Sequence, residues 1–245
     1  MVGKKKKRKR IFIKTLILLV LIAGFIMLFK YGFFDIKRIY INGVSIERYE
    51  QVLDLCKVSD STNIFSYNTD EAISRILDIV QIKKIYITKN YPNTLYVSVL
   101  ERYPYVAFQI EDHYLIYDED GININTVDSL NDVDGLLVTG FDDNDDLNCG
   151  NNIDYSSDAT LTTVNYILQW AQKNQLNGYI TELYHSESGY YYAYTTSSNV
   201  IKFYSLNAFI NKEQFIKSFL LNEKRNIMVE VIEDSEPVYK VININ

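Results

Sequence analysis

Residues 11–29 read IFIKTLILLVLIAGFIMLF, an apolar run whose one charged residue is Lys14, directly after KKKKRKR at positions 4–10. Wound as a helix at about 1.5 Å per residue, such a run is about 28 Å long, close to the hydrocarbon thickness of a bilayer. It predicts a transmembrane helix over residues 11–30 behind a basic cytoplasmic tail at 1–10. Everything C-terminal to it must then fold on one side of the membrane. Lys14 lies near the basic end, where its stem can reach back to the headgroups. Basic residues retained in the cytoplasm orient the N-terminus inward and the remainder outward. The competing reading is a cleaved signal peptide, but the run is long for one, and the following KYGFFDIK offers no small-x-small cleavage site.

Charge is split between the two ends. Nine of the 25 basic residues lie within the first thirty positions, so 16 remain against all 31 acidic ones, leaving the outer part near −15. The basic heptad alone could be a nucleic-acid or nuclear-localisation patch. Beside a spanning helix and an acidic body it reads as a topology determinant, and no nucleic-acid partner is expected.

Residues 81–108 carry two period-2 runs, 82–89 and 94–101, around the turn-forming Asn90, Tyr91, Pro92 and Asn93. They predict a β-hairpin in which Leu95, Val97 and Val99 face a core while Tyr96 and Ser98 face away. Upstream, residues 34–44 read as a strand. Ser45 then stands as an N-cap for a helix with Ile46, Tyr49, Val52, Leu53 and Cys56 on one face. A second helix starts after Asn68, which with Glu71 resembles a capping box, and it carries Ala72, Ile73, Ile76 and Leu77 inward. The order βααββ predicts two helices on one face of a three-stranded sheet over residues 34–108.

Here the residues resemble a known family. Ile39, Ile41 and Gly43 in the first strand, Asn63-Ile64-Phe65 before the second helix, Tyr91-Pro92-Asn93-Thr94-Leu95, and Glu101-Arg102-Tyr103-Pro104 followed by Val106-Ala107 are similar to the POTRA domain of the bacterial division proteins FtsQ and DivIB. The Ile, Asn, Lys and Tyr usage suggests an AT-rich genome, and together with this resemblance it implies a low-GC Gram-positive bacterium and so the DivIB type. Tyr114 to Asp118 with Gly121 looks like the family's "LID-x-x-G" strand and turn. Residues 135–140 look like its "LPxLxG" stretch, with Gly135 and Leu136 replacing the leading leucine and the proline.

The remainder, residues 109–245, predicts an α+β arrangement: a mainly antiparallel β domain with two amphipathic helices. Strands are expected at 105–110, 114–117, 179–185, 190–196 and 200–204, the last three as a meander. Helices are expected at 159–175, with Trp170 at the core margin, and at 206–221. Between Glu111 and Asp158 stand 14 acidic residues and no lysine or arginine. Within the acidic loop 141–158, Asp142, Asn144 and Asp146 alternate as in a calcium loop, but Leu147 replaces the required glycine and Ile153 the closing glutamate, so a solvated loop is the better reading. The run Tyr190, Tyr191, Tyr192, Ala193, Tyr194 could stack on a sugar or base, but with 21 tyrosines in the chain it reads as ordinary strand.

Nothing points to an enzyme, a cofactor, a metal or a small-molecule substrate. His113 and His185 stand far apart in sequence, each without a nearby second ligand. Cys56 lies on an apolar helix face, and Cys149 lies 93 positions further on in the acidic loop. No nucleophile-elbow, P-loop or dinucleotide fingerprint is present.

The last strand pair, 226–233 and 238–242, is the expected binding region. Ile227, Met228, Val229, Glu230, Val231 and Ile232 resemble the family's terminal strand, with Ile232 where an arginine is common. A terminal strand leaves main-chain groups that an extended partner can pair with. The resemblance implies that this region holds FtsL and FtsB, the latter corresponding to DivIC in Gram-positive bacteria, and that the POTRA domain helps recruitment. The implied protein is a non-enzymatic, single-pass scaffold of the divisome. It would be concentrated at the septum and would help assemble and regulate septal peptidoglycan synthesis. The alternative is a POTRA-bearing chaperone or translocation module that binds unfolded polypeptide.

Overall fold

The apolar run forms one helix, α1 (Val2–Lys30), in a computed structural model that describes residues 2–133, 135–140 and 152–241, with side chains from Phe12 onward. Its segment Phe12–Lys30 is 19 residues long, and the rest of the protein buries none of it. A helix apolar all round and uncovered by protein is suited to lipid.

The chain divides into two units, Met1–Arg102 and Tyr103–Asn245. Beyond α1 the first comprises β1 (Arg38–Asn42), α2 (Ile46–Leu55), α3 (Thr69–Leu77), β2 (Ile82–Asn90) and β3 (Thr94–Glu101). The sheet order is β1-β3-β2, with β1 parallel to β3 and β2 antiparallel to it. The parallel pairing follows from the two helices, which return the chain across one face before the hairpin begins. Alternation along β3 is as expected: Leu95, Val97 and Val99 are buried, while Tyr96, Ser98 and Leu100 are exposed. Against that inner face pack Val52 and Cys56, next to α2's last turn, and Ile76 of α3, with Ile82 and Ile85. Asn68 caps α3 by accepting from the Glu71 amide at 3.2 Å.

The expected boundary at residue 108 lies too far along the chain. Val106, Ala107 and Phe108 belong to β4 (Val106–Ile110), which pairs only within the second unit, so the division falls after Arg102.

That unit continues with β5 (His113–Tyr117), β6 (Asn123–Val127), β7 (Leu136–Thr139), α4 (Ala159–Lys173), β8 (Ile180–His185), β9 (Tyr191–Thr195), β10 (Val200–Phe203), α5 (Leu206–Asn211), α6 (Glu213–Asn222), β11 (Ile227–Val231) and β12 (Val238–Val241). Among the described residues they form a nine-stranded sheet of order β12-β11-β10-β9-β8-β7-β4-β5-β6. The expected meander is β8-β9-β10, antiparallel throughout. The sheet as a whole is mixed, because β4-β7, β7-β8 and β10-β11 are parallel. Two of these follow from helical crossovers, α4 between β7 and β8 and the α5/α6 pair between β10 and β11.

The core lies where the helices cover the sheet. Phe108, Tyr117, Val138, Leu183, Phe203 and Val229 meet Leu161, Val164, Ile167, Phe209, Ile216 and Phe219. Trp170 belongs to this core rather than to its margin: it is 6% exposed, with its ring 5.1 Å from that of Phe209 and nearly perpendicular to it. The helix expected over 206–221 is two helices. Lys212 leaves helical geometry at φ −118°, ψ 16°, so among the described residues three helices, not two, cover the sheet. The alternating Asp142, Asn144 and Asp146, with Leu147 and Cys149, fall outside the described residues. Ile153 is a core residue whose amide donates to the Gly121 carbonyl at 2.8 Å.

Candidate functional site at the open edge of the large sheet

The last two strands form an antiparallel pair joined through the turn at residues 233–235, with Ile227 opposite Val241, Met228 opposite Lys240, Val229 opposite Tyr239 and Glu230 opposite Val238. β11 also pairs in parallel with β10, from Val200–Met228 to Phe203–Val231. The segment expected to offer free main-chain groups, residues 227–232, is therefore an inner strand with ladders on both sides. Ile227, Val229 and Val231 are buried, Met228 and Glu230 face the other way, and Ile232 lies just past the strand. The physical reason is the α5/α6 crossover, which delivers β11 alongside β10, so the turn at 233–235 lays β12 outside it. The open edge belongs to β12, whose four residues are all exposed and which is the outermost strand among the described residues.

Two surfaces flank that edge. On the outer face a ladder of charge crosses three strands: Lys202 Nζ donates to Glu230 Oε1 at 2.9 Å, and Lys240 Nζ reaches Glu230 Oε2 at 3.5 Å. Lys202 also lies 3.9 Å from the centre of the Tyr190 ring. The Lys202 bond, followed by the charges of Lys202 and Lys240, holds the Glu230 carboxyl below its ordinary range, and the same bond pushes the Lys202 ammonium up. On the helix side Tyr239 extends the row of Val229, and its ring stands 6.2 Å from that of Phe215 on α6. Among the described residues the edge thus has no strand beyond it, and its main chain lies between an apolar shoulder and a cationic one.

The motif residues of the first unit serve a different purpose. The Asn93 carbonyl accepts from the amides of Lys37 at 2.9 Å and Arg38 at 3.4 Å, fastening the hairpin turn to the start of β1. Thr94 is buried, and Leu95 packs with Ile36, Ile64, Tyr67 and Ala72. The Tyr91 ring, before Pro92, stacks on Phe65 at 5.0 Å. Glu101, 8% exposed, accepts from the Ser45 amide and hydroxyl, each at 3.1 Å, and from Arg48 at 3.4 Å. It clasps the N-terminus of α2 to the end of β3, and Ser45 turns its hydroxyl to Glu101 instead of capping the helix itself. The Arg102 amide donates to the Gln81 carbonyl at 2.7 Å, and Pro104 is exposed at the start of the second unit. These groups build the domain's frame. The Glu101 clasp joins residues 56 positions apart, and no sequence signal announces it.

The histidines do not come together as a ligand set. His113 Nδ1 lies 2.8 Å from Asp128, and His185 stacks on Tyr191 at 4.6 Å. Among the described residues no group of three His, Cys, Asp or Glu is placed to hold a metal ion. Cys56 is a buried free thiol, pushed up in pKa by that burial.

A helix of membrane-spanning length followed by a βααββ unit and a large sheet defines a POTRA-bearing protein with an N-terminal anchor segment. The sequence model of the FtsQ-type POTRA domain matches residues 34–102. The cell division protein FtsQ of Rickettsia prowazekii is 28% identical over 92 residues, covering 38% of this chain and 34% of that protein. FtsQ of Mycobacterium tuberculosis is 27% identical over 90 residues, 37% of this chain and 29% of that one. The cell division protein DivIB of Clostridium botulinum is 29% identical over 143 residues, 58% of this chain and 56% of that one. These matches span from under a third to just over half of the relatives' lengths. Residues 34–102 thus carry an FtsQ-type POTRA domain, and the chain is similar to the FtsQ and DivIB division proteins.

Proposed function

We propose that this protein is a membrane-anchored, non-enzymatic scaffold of the bacterial divisome, of the DivIB type. Its domains outside the membrane gather FtsL-like and DivIC/FtsB-like partners and so help assemble and regulate septal wall synthesis. The observation that carries the reading is the FtsQ-type POTRA unit following an apolar helix of spanning length in a chain whose large sheet ends on the exposed strand β12. An extended partner segment pairs with β12 by strand addition, with main-chain bonds supplying affinity and the flanking Tyr239 and Lys240 supplying register. Strand addition of this kind asks no bond-making chemistry of the protein.

The expected topology is N-terminus in and C-terminal units out, with the protein concentrated at the septum. Depletion in cells carrying a fluorescent fusion tests the reading. Filamentation with mid-cell signal is the expected result, and normal division with a diffuse membrane signal contradicts it.

A further inference from the structure

The end of α1 is joined to the POTRA unit by a stiff, hydrogen-bonded corner. The Phe33 amide donates to the Leu28 carbonyl at 3.0 Å and the Gly32 amide to the Phe29 carbonyl at 3.3 Å, the paired bonds of a Schellman cap. Gly32 takes the left-handed conformation this requires, φ +66°, and a side chain there would meet the Asp35 carboxylate at 2.3 Å. The chain is then tied at once into the loop before α3. The Ile36 amide donates to Thr62 at 2.8 Å and the Ile64 amide to Phe34 at 2.9 Å.

A continuous row of rings runs from the helix over this corner. Phe25 and Phe29 are 5.1 Å apart, and Phe34 lies 6.1 Å from Phe25 and 4.8 Å from Phe29. Phe65 lies 5.8 Å from Phe29, and Tyr91 lies 5.0 Å from Phe65. The row is open to its surroundings: Phe33 is 45% exposed, Phe65 50% and Tyr91 55%.

The length of α1 sets the level of this row. Nineteen residues, Phe12–Lys30, make a helix of about 28 Å, which fills the hydrocarbon layer with nothing to spare. Phe29 then stands at the outer boundary. Phe34 and Phe65, whose rings contact it, stand at the headgroup level, where aromatic side chains are favoured, with Phe33 beside Phe34 and Tyr91 beside Phe65 one ring further on. We propose that Phe33, Phe65 and Tyr91 are a lipid-docking surface, on which the POTRA unit rests against the outer bilayer surface at a fixed attitude to its anchor. The occupant is the lipid interface because the row is continuous with the segment that lies in lipid. The proposal rests on the membrane-anchored reading of α1.

The test uses the full chain in phosphatidylcholine vesicles with brominated acyl chains as quencher. Trp170, buried in the second unit, supplies a constant baseline measured in the unsubstituted protein. Phe65→Trp and Tyr91→Trp are prepared separately, with Phe25→Trp as the in-membrane reference and Tyr86→Trp, on the exposed sheet face, as the outside reference. The added fluorescence at 65 and 91 is expected to fall by about half, as at 25, and that at 86 to stay unchanged. Quenching at 25 with none at 65 or 91 overturns the docking surface and leaves the anchor standing. No quenching at 25 removes the anchor reading and the docking surface with it.

Discussion

Glu101 illustrates how one side chain closes a domain. Its carboxylate is nearly buried and satisfies the Ser45 amide, the Ser45 hydroxyl and the Arg48 guanidinium together. Removing the acceptor leaves those donors without it in a partly buried place, a loss of about 1–3 kcal/mol. Glu101→Ala is therefore expected to lower the denaturant midpoint of the first unit, and Glu101→Gln, which keeps one acceptor oxygen, to lower it less. His185 makes the second case. Burial holds its imidazole below the ordinary 6.5, while the charge of Asp158 pulls the other way. The neutral ring is favoured in the folded state. Its contribution is fully present above pH 6.5 and is lost as pH falls from there through the lower folded value. Unfolding of the second unit followed against pH should show this loss below 6.5, and His185→Gln should flatten it.

At the scale of elements, the position of the open edge decides what a proline does. Val229 is fully buried on a strand with ladders on both sides, so Val229→Pro is expected to unfold the large sheet, seen as lost circular dichroism. On β12 successive amides alternate between β11 and the open side. Of Tyr239→Pro and Lys240→Pro, one removes an outward donor and spares the internal ladder. That variant should keep its circular dichroism and lose the proposed strand addition in a pull-down.

The same contrast explains what the sequence made legible. The hairpin, β1 and the first two helices rest on local periodicity and turn chemistry, so Leu95, Val97, Val99 and Asn68 could be read directly. The inner place of β11 depends on a crossover that starts at Ser205, more than twenty residues upstream, and alternation alone cannot say which neighbour a strand takes. β6 and β7 are short and lie in the acidic part of the chain, with β7 held by parallel partners distant in sequence. The break at Lys212 leaves no mark in the sequence because the apolar stripe runs through it: Phe209 and Ile216 are buried on either side.

At the scale of the whole molecule, the apolar helix, the FtsQ-type POTRA unit and the nine-stranded sheet place an anchor at one end of the chain and an open strand at the other. The proposed scaffold role needs both ends: an anchor that keeps the protein at the membrane and an edge that a partner can complete. The most direct measurement is amide hydrogen exchange of the full chain, alone and with its DivIC-like partner. The partner is expected to protect residues 238–241 above all others. Binding that leaves those amides exchanging as before, with protection appearing elsewhere, contradicts it.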